Sequence, residues 1–211
     1  MVAASSKPRS SRFGHYVFAL ASLTLSLNAA QLGTQAKKAE PVRKIPPYAN
    51  KLAPYVSSPT RVVDRMLEMA NLKPGETLYD LGCGDGRILI AAASKYKVKA
   101  IGIEISPNLV AKASENIQVA GLVDQARVVN GDLLTTDFTG ADVVTLYLAT
   151  SFNAKLRPQL EKYLKPGARV ISNEYPIPGW KPTQVDVTDD RHSHKVYYYE
   201  MPAKPDPAAV K

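Results

Sequence analysis

The chain has few of the residues that build disulfides and metal centres. Its 211 residues include a single cysteine, Cys83, and three histidines. One cysteine cannot form an intramolecular disulfide and excludes a multi-cysteine zinc site. Three histidines leave a histidine-rich metal centre short of ligands, so we predict no metal site. The composition is otherwise typical of a globular protein, with 45% hydrophobic and 22% charged residues.

Acidic residues are almost missing from the first quarter of the chain. Residues 1–51 contain eight Lys and Arg but only one acid, Glu40, whereas residues 52–211 contain 19 basic and 18 acidic residues. The net charge of +8 therefore belongs mainly to the N-terminal segment. Because a nucleic-acid binder usually carries its positive charge on the domain itself, we predict no nucleic-acid partner.

The chain also lacks an apolar run long enough for an ordinary membrane-spanning helix. Its most apolar stretch, Tyr16 to Leu27, has 12 residues, whereas a spanning helix needs about 20 and a secretory signal about 7–15. Basic residues precede this stretch and small residues follow it. We therefore predict that residues 1–30 are a signal-like or membrane-anchor segment, which implies membrane association or export. A mitochondrial presequence is the alternative if the source is eukaryotic.

The remaining residues divide into a linker, a folded domain and a tail. Residues 31–54 contain four prolines and no sustained periodicity, so we predict a flexible linker, and by the same signals residues 202–211 form a disordered tail. Residues 55–201 alternate between short apolar runs and amphipathic stretches, interpreted as five β-then-α units and a closing hairpin. This pattern predicts an α/β fold with a mostly parallel sheet of seven strands and helices on both faces. The predicted strands are 77–81, 100–105, 126–130, 143–148, 169–173, 184–187 and 195–201.

Glycines and acids gather at the predicted strand ends, where ligands of parallel sheets bind. Residues 80–87, DLGCGDGR, place three alternating glycines between a strand and a helix, and such a loop lets the backbone approach a ligand closely. Glu104 ends the second strand, where it could accept hydrogen bonds from two ribose hydroxyls, and Asp132 follows the third, where it could accept from an adenine amine.

Charge distinguishes between the two nucleoside cofactors that fit such a loop, a dinucleotide and S-adenosylmethionine. Arg87 stands where a dinucleotide-binding fingerprint requires its third glycine. The two phosphates of a dinucleotide would also meet a ring of four carboxylates, a repulsion of several kcal/mol; its members are Asp80, Asp85, Glu104 and Asp132. S-adenosylmethionine carries a sulfonium, an ammonium and one carboxylate, so its net positive charge favours this site.

The motifs together resemble the class I S-adenosylmethionine-dependent methyltransferases, which have a Rossmann-like fold. The resemblance covers most of residues 55–200 and is carried by DLGCGDGR (80–87), GIE (102–104), GD (131–132) and LKPGARV (164–170). PYVSSP (54–59), VVDRML (62–67) and EYPIPGW (174–180) resemble a narrower family, the small lysine methyltransferases of mitochondria and their bacterial relatives. Those enzymes act on the ATP synthase c subunit and the adenine nucleotide translocase.

The resemblance implies S-adenosyl-L-methionine as cofactor and a role for each residue of the binding site. Asp80 and the glycine loop would hold the methionine moiety, and Glu104 the ribose. The adenine would lie at Asp132 and Leu133, and Tyr55 would close over the cofactor. The implied cofactor-binding set is Tyr55, Asp80, Gly82, Gly84, Asp85, Gly86, Glu104, Asp132 and Leu133.

The methyl acceptor is expected beyond the end of the fourth strand. The Pro-Pro-aromatic motif of amino-methylating nucleic-acid enzymes is missing there, and Cys83 lies too early in the chain for a cytosine-5 nucleophile. A lysine acceptor must lose a proton, so the candidate catalytic residues are Tyr147 and Glu174 at the ends of the fourth and fifth strands. His192 and His194 are predicted to be solvated in a hairpin turn.

We expect a protein lysine N-methyltransferase acting on a membrane-associated protein. The alternatives are a methyltransferase of a small molecule such as a lipid or quinone, and a cofactor-binding domain without turnover. Trp180 could line an acceptor groove or anchor its loop. Because S-adenosylmethionine is made inside cells, an anchor facing the cytoplasm or a mitochondrial matrix location is favoured over full secretion.

Overall fold

The computed structural model of the chain describes residues 56–188 and 193–203. Left-handed residues follow the first three helices: Asn71 and Lys97 end two of them, and Gly121 lies just past the third. The elements in these ranges are, in chain order, α1 (Thr60–Ala70), β1 (Thr77–Leu81), α2 (Arg87–Tyr96), β2 (Lys99–Glu104), α3 (Pro107–Val119), β3 (Ala126–Asn130), β4 (Val143–Leu146), α4 (Thr150–Tyr163), β5 (Arg169–Asn173), β6 (Gln184–Val187) and β7 (Lys195–Glu200).

The seven strands form one sheet in the order β3-β2-β1-β4-β5-β7-β6. The first five strands of this order are parallel, and β7 runs antiparallel between β5 and β6. This is the predicted fold, a mostly parallel α/β sheet with an antiparallel hairpin at its C-terminal side. The strand order reverses between β1 and β4, and in open sheets of this kind a ligand binds at the carboxyl ends of the strands beside that reversal. We call this edge of the sheet the carboxyl edge.

Helices cover both faces of the sheet, as predicted. Apolar side chains of α1, α2 and α3 pack with Leu78, Val143 and Ile171 on one face. On the other face, Leu156 and Leu160 of α4 pack with apolar residues of β1, β2, β4 and β5. Because successive side chains of a strand point to opposite faces, these two cores fix which face each residue at the carboxyl edge takes.

Two sequence-based expectations about the fold are wrong. Residues 56–188 contain three β-then-α units instead of five, since β3 leads to β4 and β5 to β6 without a helix between them. Residues 131–142, which join β3 to β4, are rich in Asp, Thr and Gly, and these residues favour turns. The fourth strand ends at Leu146 and not at Leu148, so Tyr147 lies just beyond it. In the ranges that the structure describes, no helix is long and apolar enough to cross a membrane.

Candidate cofactor and acceptor site at the carboxyl edge

The glycine loop turns sharply at the end of β1. Gly82, Gly84 and Gly86 have φ angles of 87°, 55° and 80°, a left-handed conformation that glycine adopts without the penalty of a side chain. The loop is tied to β2, since the backbone N–H groups of Gly82 and Cys83 donate to the carbonyl of Ile103 at 2.8 and 3.1 Å. The result is a rigid turn whose backbone faces the space beyond the strands.

Gly102, in the middle of β2, makes room for the underside of this loop. A Cβ at this position would lie 2.4 Å from Cys83 Sγ and 2.7 Å from Leu89 Cδ1. The Cys83 thiol is buried, and burial, together with the nearby carboxylates of Asp80 and Glu104, raises its pKa. Cys83 is therefore a packing residue and not a nucleophile.

Gly102→Ala is expected to lower the free energy of unfolding by about 1–3 kcal/mol, because the added methyl overpacks the space beneath the loop. Chemical denaturation of the two proteins measures the difference. The double variant Cys83→Ala/Gly102→Ala removes the closest clashing atom and should recover part of the loss. Equal stability of wild type and Gly102→Ala would contradict this packing.

Glu104 joins the glycine loop to the start of α3. Its Oε2 accepts a hydrogen bond from the Gly84 N–H at 3.0 Å, and its Oε1 accepts one from the Ser106 N–H at 2.8 Å. The residue is only 7% exposed. The structure thus brings the loop and Glu104 into direct contact, and each carboxylate oxygen keeps a lone pair for a further donor such as a ribose hydroxyl.

Asp80 is a deeply buried carboxyl group at this edge. It is 3% exposed, and its Oδ1 accepts a hydrogen bond from Thr145 Oγ1 of the neighbouring strand at 2.8 Å. Burial raises the pKa of Asp80 to about 7; the hydrogen bond from Thr145 opposes this rise, and the negative charges of Glu104 and Asp85 add to it. A carboxylate buried in this way is stabilised when a cationic ligand reaches it.

Asp85 differs from the other acids because a cation already pairs with it. Arg87 Nη2 lies 2.7 Å from Asp85 Oδ2, and Arg87 Nη1 donates to the carbonyl of Ser58 at 2.7 Å. Arg87 thereby ties the segment before α1 to the glycine loop. The sequence placed Asp85 in the ring of acids but did not indicate this pairing, which leaves Asp80, Glu104 and Asp132 as the acids that supply net negative charge.

Asp132 and Leu133 begin the turn that follows β3. Asp132 Oδ1 accepts a hydrogen bond from the Leu134 N–H at 2.9 Å, and its carbonyl accepts from the hydroxyl of Thr136 at 2.7 Å. Both Asp132 and Leu133 are half-buried. The carboxylate therefore stabilises its own turn, in addition to any contact with a ligand.

A second group of side chains lies at the ends of β4 and β5. The rings of Tyr147 and Tyr175 stack with their centroids 6.2 Å apart. Glu174 adopts a φ of 62°, which is unusual for a residue with a side chain, and unlike Asn71 and Lys97 it does not end a helix. Its Oε1 lies 2.6 Å from His194 Nδ1. We call Tyr147, Glu174, Tyr175 and His194 the acceptor cluster.

His194 was predicted to be solvated, and this is wrong. Its side chain is only 12% exposed and contacts Glu174. The reason is the pairing of β7 with β5: the Glu174 N–H donates to the Lys195 carbonyl at 2.7 Å, which brings the residue before Lys195 to the carboxyl edge. Tyr55 and His192, two other residues singled out in the sequence, lie outside the described residues.

Trp180 lies away from the carboxyl edge. Its ring packs edge-on against Tyr199 at 5.6 Å, and its Nε1 donates to Glu161 at 3.0 Å. Tyr199 pairs with Val170 near the start of β5, so Trp180 anchors its loop toward the opposite end of the sheet. A cavity of about 460 Å³ adjoins Trp180 and contains none of the predicted site residues.

The residues at the carboxyl edge fit S-adenosylmethionine. A Cβ at Gly82 or Gly86 would lie 3.2 Å from Leu148 Cδ2 or 3.1 Å from Ala113 Cβ, so the loop presents bare backbone. Asp80 offers a buried negative charge suited to an ammonium group, and Glu104 offers acceptors suited to ribose hydroxyls.

Comparison with known proteins supports the same ligand. Residues 80–184 match the sequence pattern of a family described as "ANTKMT methyltransferase domain". The chain is 47% identical over 148 residues to a protein-lysine N-methyltransferase of Saccharolobus islandicus, an alignment that covers 69% of this chain and 92% of the relative. It is 35% identical over 132 residues to the adenine nucleotide translocase lysine N-methyltransferase of Mus musculus, covering 63% of this chain but only 57% of that relative.

A similar solved structure carries the demethylated cofactor. It is described as an RNA methyltransferase from Salinibacter ruber in complex with S-adenosyl-L-homocysteine. Its TM-score is 0.67 and its sequence identity 43%, and the match covers 72% of this chain and 97% of that chain. The names of the relatives agree on methyl transfer and differ on the acceptor.

Proposed function

The chain belongs to the ANTKMT methyltransferase family of S-adenosylmethionine-dependent enzymes, and we propose that it methylates the Nζ of lysine residues in a protein held at or near a membrane. The observation that carries the acceptor class is the acceptor cluster, which sets a carboxylate and stacked phenols beside the carboxyl edge. Such a set suits an amine that arrives as a cation and must lose a proton.

In the proposed mechanism the chain first binds its cofactor through charge and shape. The Asp80 carboxylate would pair with the cofactor's ammonium group, the backbone of the glycine loop would contact its methionine moiety, and Glu104 would accept hydrogen bonds from the ribose hydroxyls. Asp132 and Leu133 would flank the adenine, and the family resemblance assigns Tyr55, which lies outside the described residues, to cover the cofactor. When bound, S-adenosylmethionine supplies a methyl group on a positively charged sulfur, and correct alignment of the amine provides most of the rate acceleration.

Glu174 and Tyr147 have different tasks in this proposal. Burial raises the pKa of Tyr147, and the neighbouring Tyr175 and Glu174 raise it further, so the phenol stays protonated and orients the amine as a hydroxyl. Glu174 is left as the proton acceptor, and its contact with His194 positions the carboxylate. For each methyl transferred, the lysine nitrogen forms one N–C bond as the S–C bond breaks with its electrons remaining on sulfur, and the nitrogen gives up one proton.

Two observations favour lysine over RNA as the acceptor. The relative at 47% identity is named a protein-lysine methyltransferase, and residues 52–211 hold nearly equal numbers of basic and acidic residues, which is unfavourable for a polyanion. The proposed membrane location of the target rests on the apolar stretch of residues 16–27.

Glu174→Gln is expected to lower kcat about 100-fold, since general-base assistance typically contributes this much or more. The KM for S-adenosylmethionine should stay within about twofold of wild type, because Glu174 is not proposed to contact the cofactor. Steady-state kinetics with a lysine-containing acceptor measures both constants. The control Glu200→Gln removes an exposed carboxylate of β7 and should keep full activity; wild-type kcat in Glu174→Gln would rule out the assigned base.

The acceptor class is tested with methyl-labelled S-adenosylmethionine and cell fractions that lack this protein. After incubation with the purified enzyme, the label is sorted into protein, RNA and lipid, and the protein is hydrolysed to amino acids. We expect labelled methyl-lysine from a protein of the membrane fraction. Label in RNA or in lipid would show that the acceptor is that molecule and not lysine. Label only in soluble protein would contradict the proposed membrane location of the target. Cofactor binding without any labelled product would indicate a binding domain without turnover.

A further inference from the structure

Asn173, the last residue of β5, is a buried polar side chain that the proposed chemistry does not yet use. It is 0% exposed, and neither its Oδ1 nor its Nδ2 has a hydrogen-bond partner in the part of the chain that the structure describes. Asn153 and Gln159 also have an unpartnered oxygen, but their nitrogens donate to the carbonyls of Tyr175 and Leu134. An unpaired buried carboxamide lowers stability, so it calls for a ligand or a functional reason.

The strand register places Asn173 on the face of the sheet that carries Asp80. Asp80 pairs with Thr145 across β1 and β4, and Thr145 pairs with Ile171 across β4 and β5. Since side chains alternate between the two faces along a strand, Asn173 lies on the same face as Ile171, two residues closer to the carboxyl edge. The proposed cofactor contacts and Asn173 therefore share one face.

Asn173 is also adjacent to the acceptor cluster. Leu146 and Ser172 form the last pair of β4 with β5, and Tyr147 and Asn173 are the residues that follow them in the chain. Glu174 follows Asn173 directly in the chain. Asn173 thus lies two strands away from the buried acid of β1, next to the residues that we assign to the amine.

From this position we infer that the Asn173 carboxamide oxygen accepts a hydrogen bond from the Nζ–H of the acceptor lysine and thereby distinguishes methylation states. The inference rests on the proposed lysine acceptor, and it adds Asn173 as a residue that determines which methylation state of the lysine is bound. A neutral amide oxygen suits this task because it holds an N–H without adding a negative charge that would keep the amine protonated.

The number of N–H groups on the acceptor explains the expected selectivity. An unmethylated lysine cation has three N–H groups, enough for Glu174, Tyr147 and Asn173 together, whereas a dimethylated lysine cation has one. If that last N–H goes to the charged acceptor Glu174, dimethyl-lysine leaves the Asn173 oxygen unpaired. The wild-type site should therefore prefer the less methylated amine.

The test uses Asn173→Leu, which keeps a similar volume but removes both polar atoms. In the presence of S-adenosylhomocysteine, N-acetyllysine methylamide and its Nζ-dimethyl form are titrated into each protein and their Kd values are measured by NMR. We expect the preference of wild type for the unmethylated probe to fall about 10-fold in the variant. The melting temperature of the cofactor-free variant should rise by about 2–4 °C, since an unpaired polar group is removed.

The control Gln159→Ala removes a carboxamide of α4 whose oxygen is also buried and unpartnered, and it should leave the preference unchanged. A lower melting temperature of Asn173→Leu would show that Asn173 has a structural partner and would overturn the inference, as would an unchanged preference. In both cases wild type would still methylate lysine in the cell-fraction experiment. Failure of wild type to label lysine there would instead remove the proposed function and this inference together.

Discussion

Asp80→Asn is expected to bind S-adenosylmethionine about 100-fold more weakly than wild type and yet to be the more stable protein at pH 8. The loss of affinity follows from the proposed pairing of a buried carboxylate with the cofactor's ammonium, because removing one partner of such a pair typically costs several kcal/mol. Calorimetric titration at pH 8 measures the affinity.

The gain in stability follows from the raised pKa of Asp80. This carboxyl group has a pKa of about 7 in the folded protein and about 4 in an unfolded chain, so between these values the folded state binds more protons. The contribution of Asp80 to the free energy of unfolding therefore falls as the pH rises from about 4 to 7, by up to about 4 kcal/mol. The asparagine variant lacks this loss and can still accept the hydrogen bond from Thr145.

Thermal melts of both cofactor-free proteins at pH 5 and pH 8 test this sign. We expect the advantage of Asp80→Asn to be larger at pH 8 than at pH 5. Asp137→Asn is the matched control, because the exposed Asp137 accepts hydrogen bonds from Thr139 that lower its pKa. The Asp137→Asn variant should therefore melt at a lower temperature than wild type at pH 8, and its affinity for the cofactor should be unchanged. A less stable Asp80→Asn protein with wild-type affinity would contradict the role given to Asp80.

Glu104→Gln is expected to lose cofactor affinity to a similar extent, about 100-fold, but with the opposite effect on stability. Both oxygens of Glu104 accept backbone N–H groups, from Gly84 and from Ser106. A glutamine has one oxygen, so its NH₂ group must face one of these donors. We expect the free energy of unfolding to fall by about 1–3 kcal/mol and the glycine loop to lose its fixed position.

Denaturant melts and calorimetric titration separate this variant from Asp80→Asn. The control Glu115→Gln changes an exposed carboxylate of α3 that pairs with Lys112 on the same helix, and it should alter neither quantity appreciably. Unchanged cofactor affinity in Glu104→Gln would show that the loop and its acid are not the cofactor site.

Most strands, and the residues proposed to bind the cofactor, could be predicted from the sequence because the patterns that indicate them are local. β1, β3, β5 and β6 are short segments bounded by turn residues, and their observed limits equal the predicted ones. The glycine loop and Glu104 follow consecutive strands, so a parallel sheet brings them to one edge without any knowledge of side-chain contacts. The expected count of five β-then-α units was wrong because neither β3 nor β5 is followed by a helix, although a connection between parallel strands usually contains one.

The acceptor cluster and Asn173 could not be predicted in the same way, because their positions depend on contacts between distant parts of the chain. His194 looked like a turn residue, and only the placement of β7 beside β5 brings it to Glu174. Asn173 is one polar residue at the end of β5, and its lack of a hydrogen-bond partner among the described residues depends on three neighbouring strands and their register. The left-handed backbone of Glu174 has no sequence signal either, because glycine or asparagine would usually occupy it.

The most direct test is a crystal structure of the chain with S-adenosylhomocysteine and a lysine-containing acceptor peptide. We expect the cofactor's amino group at the Asp80 carboxylate, its ribose hydroxyls on Glu104, and the lysine Nζ among Tyr147, Asn173 and Glu174. A cofactor bound away from Asp80 and Glu104, or a lysine bound at the Trp180 cavity, would contradict the proposed site.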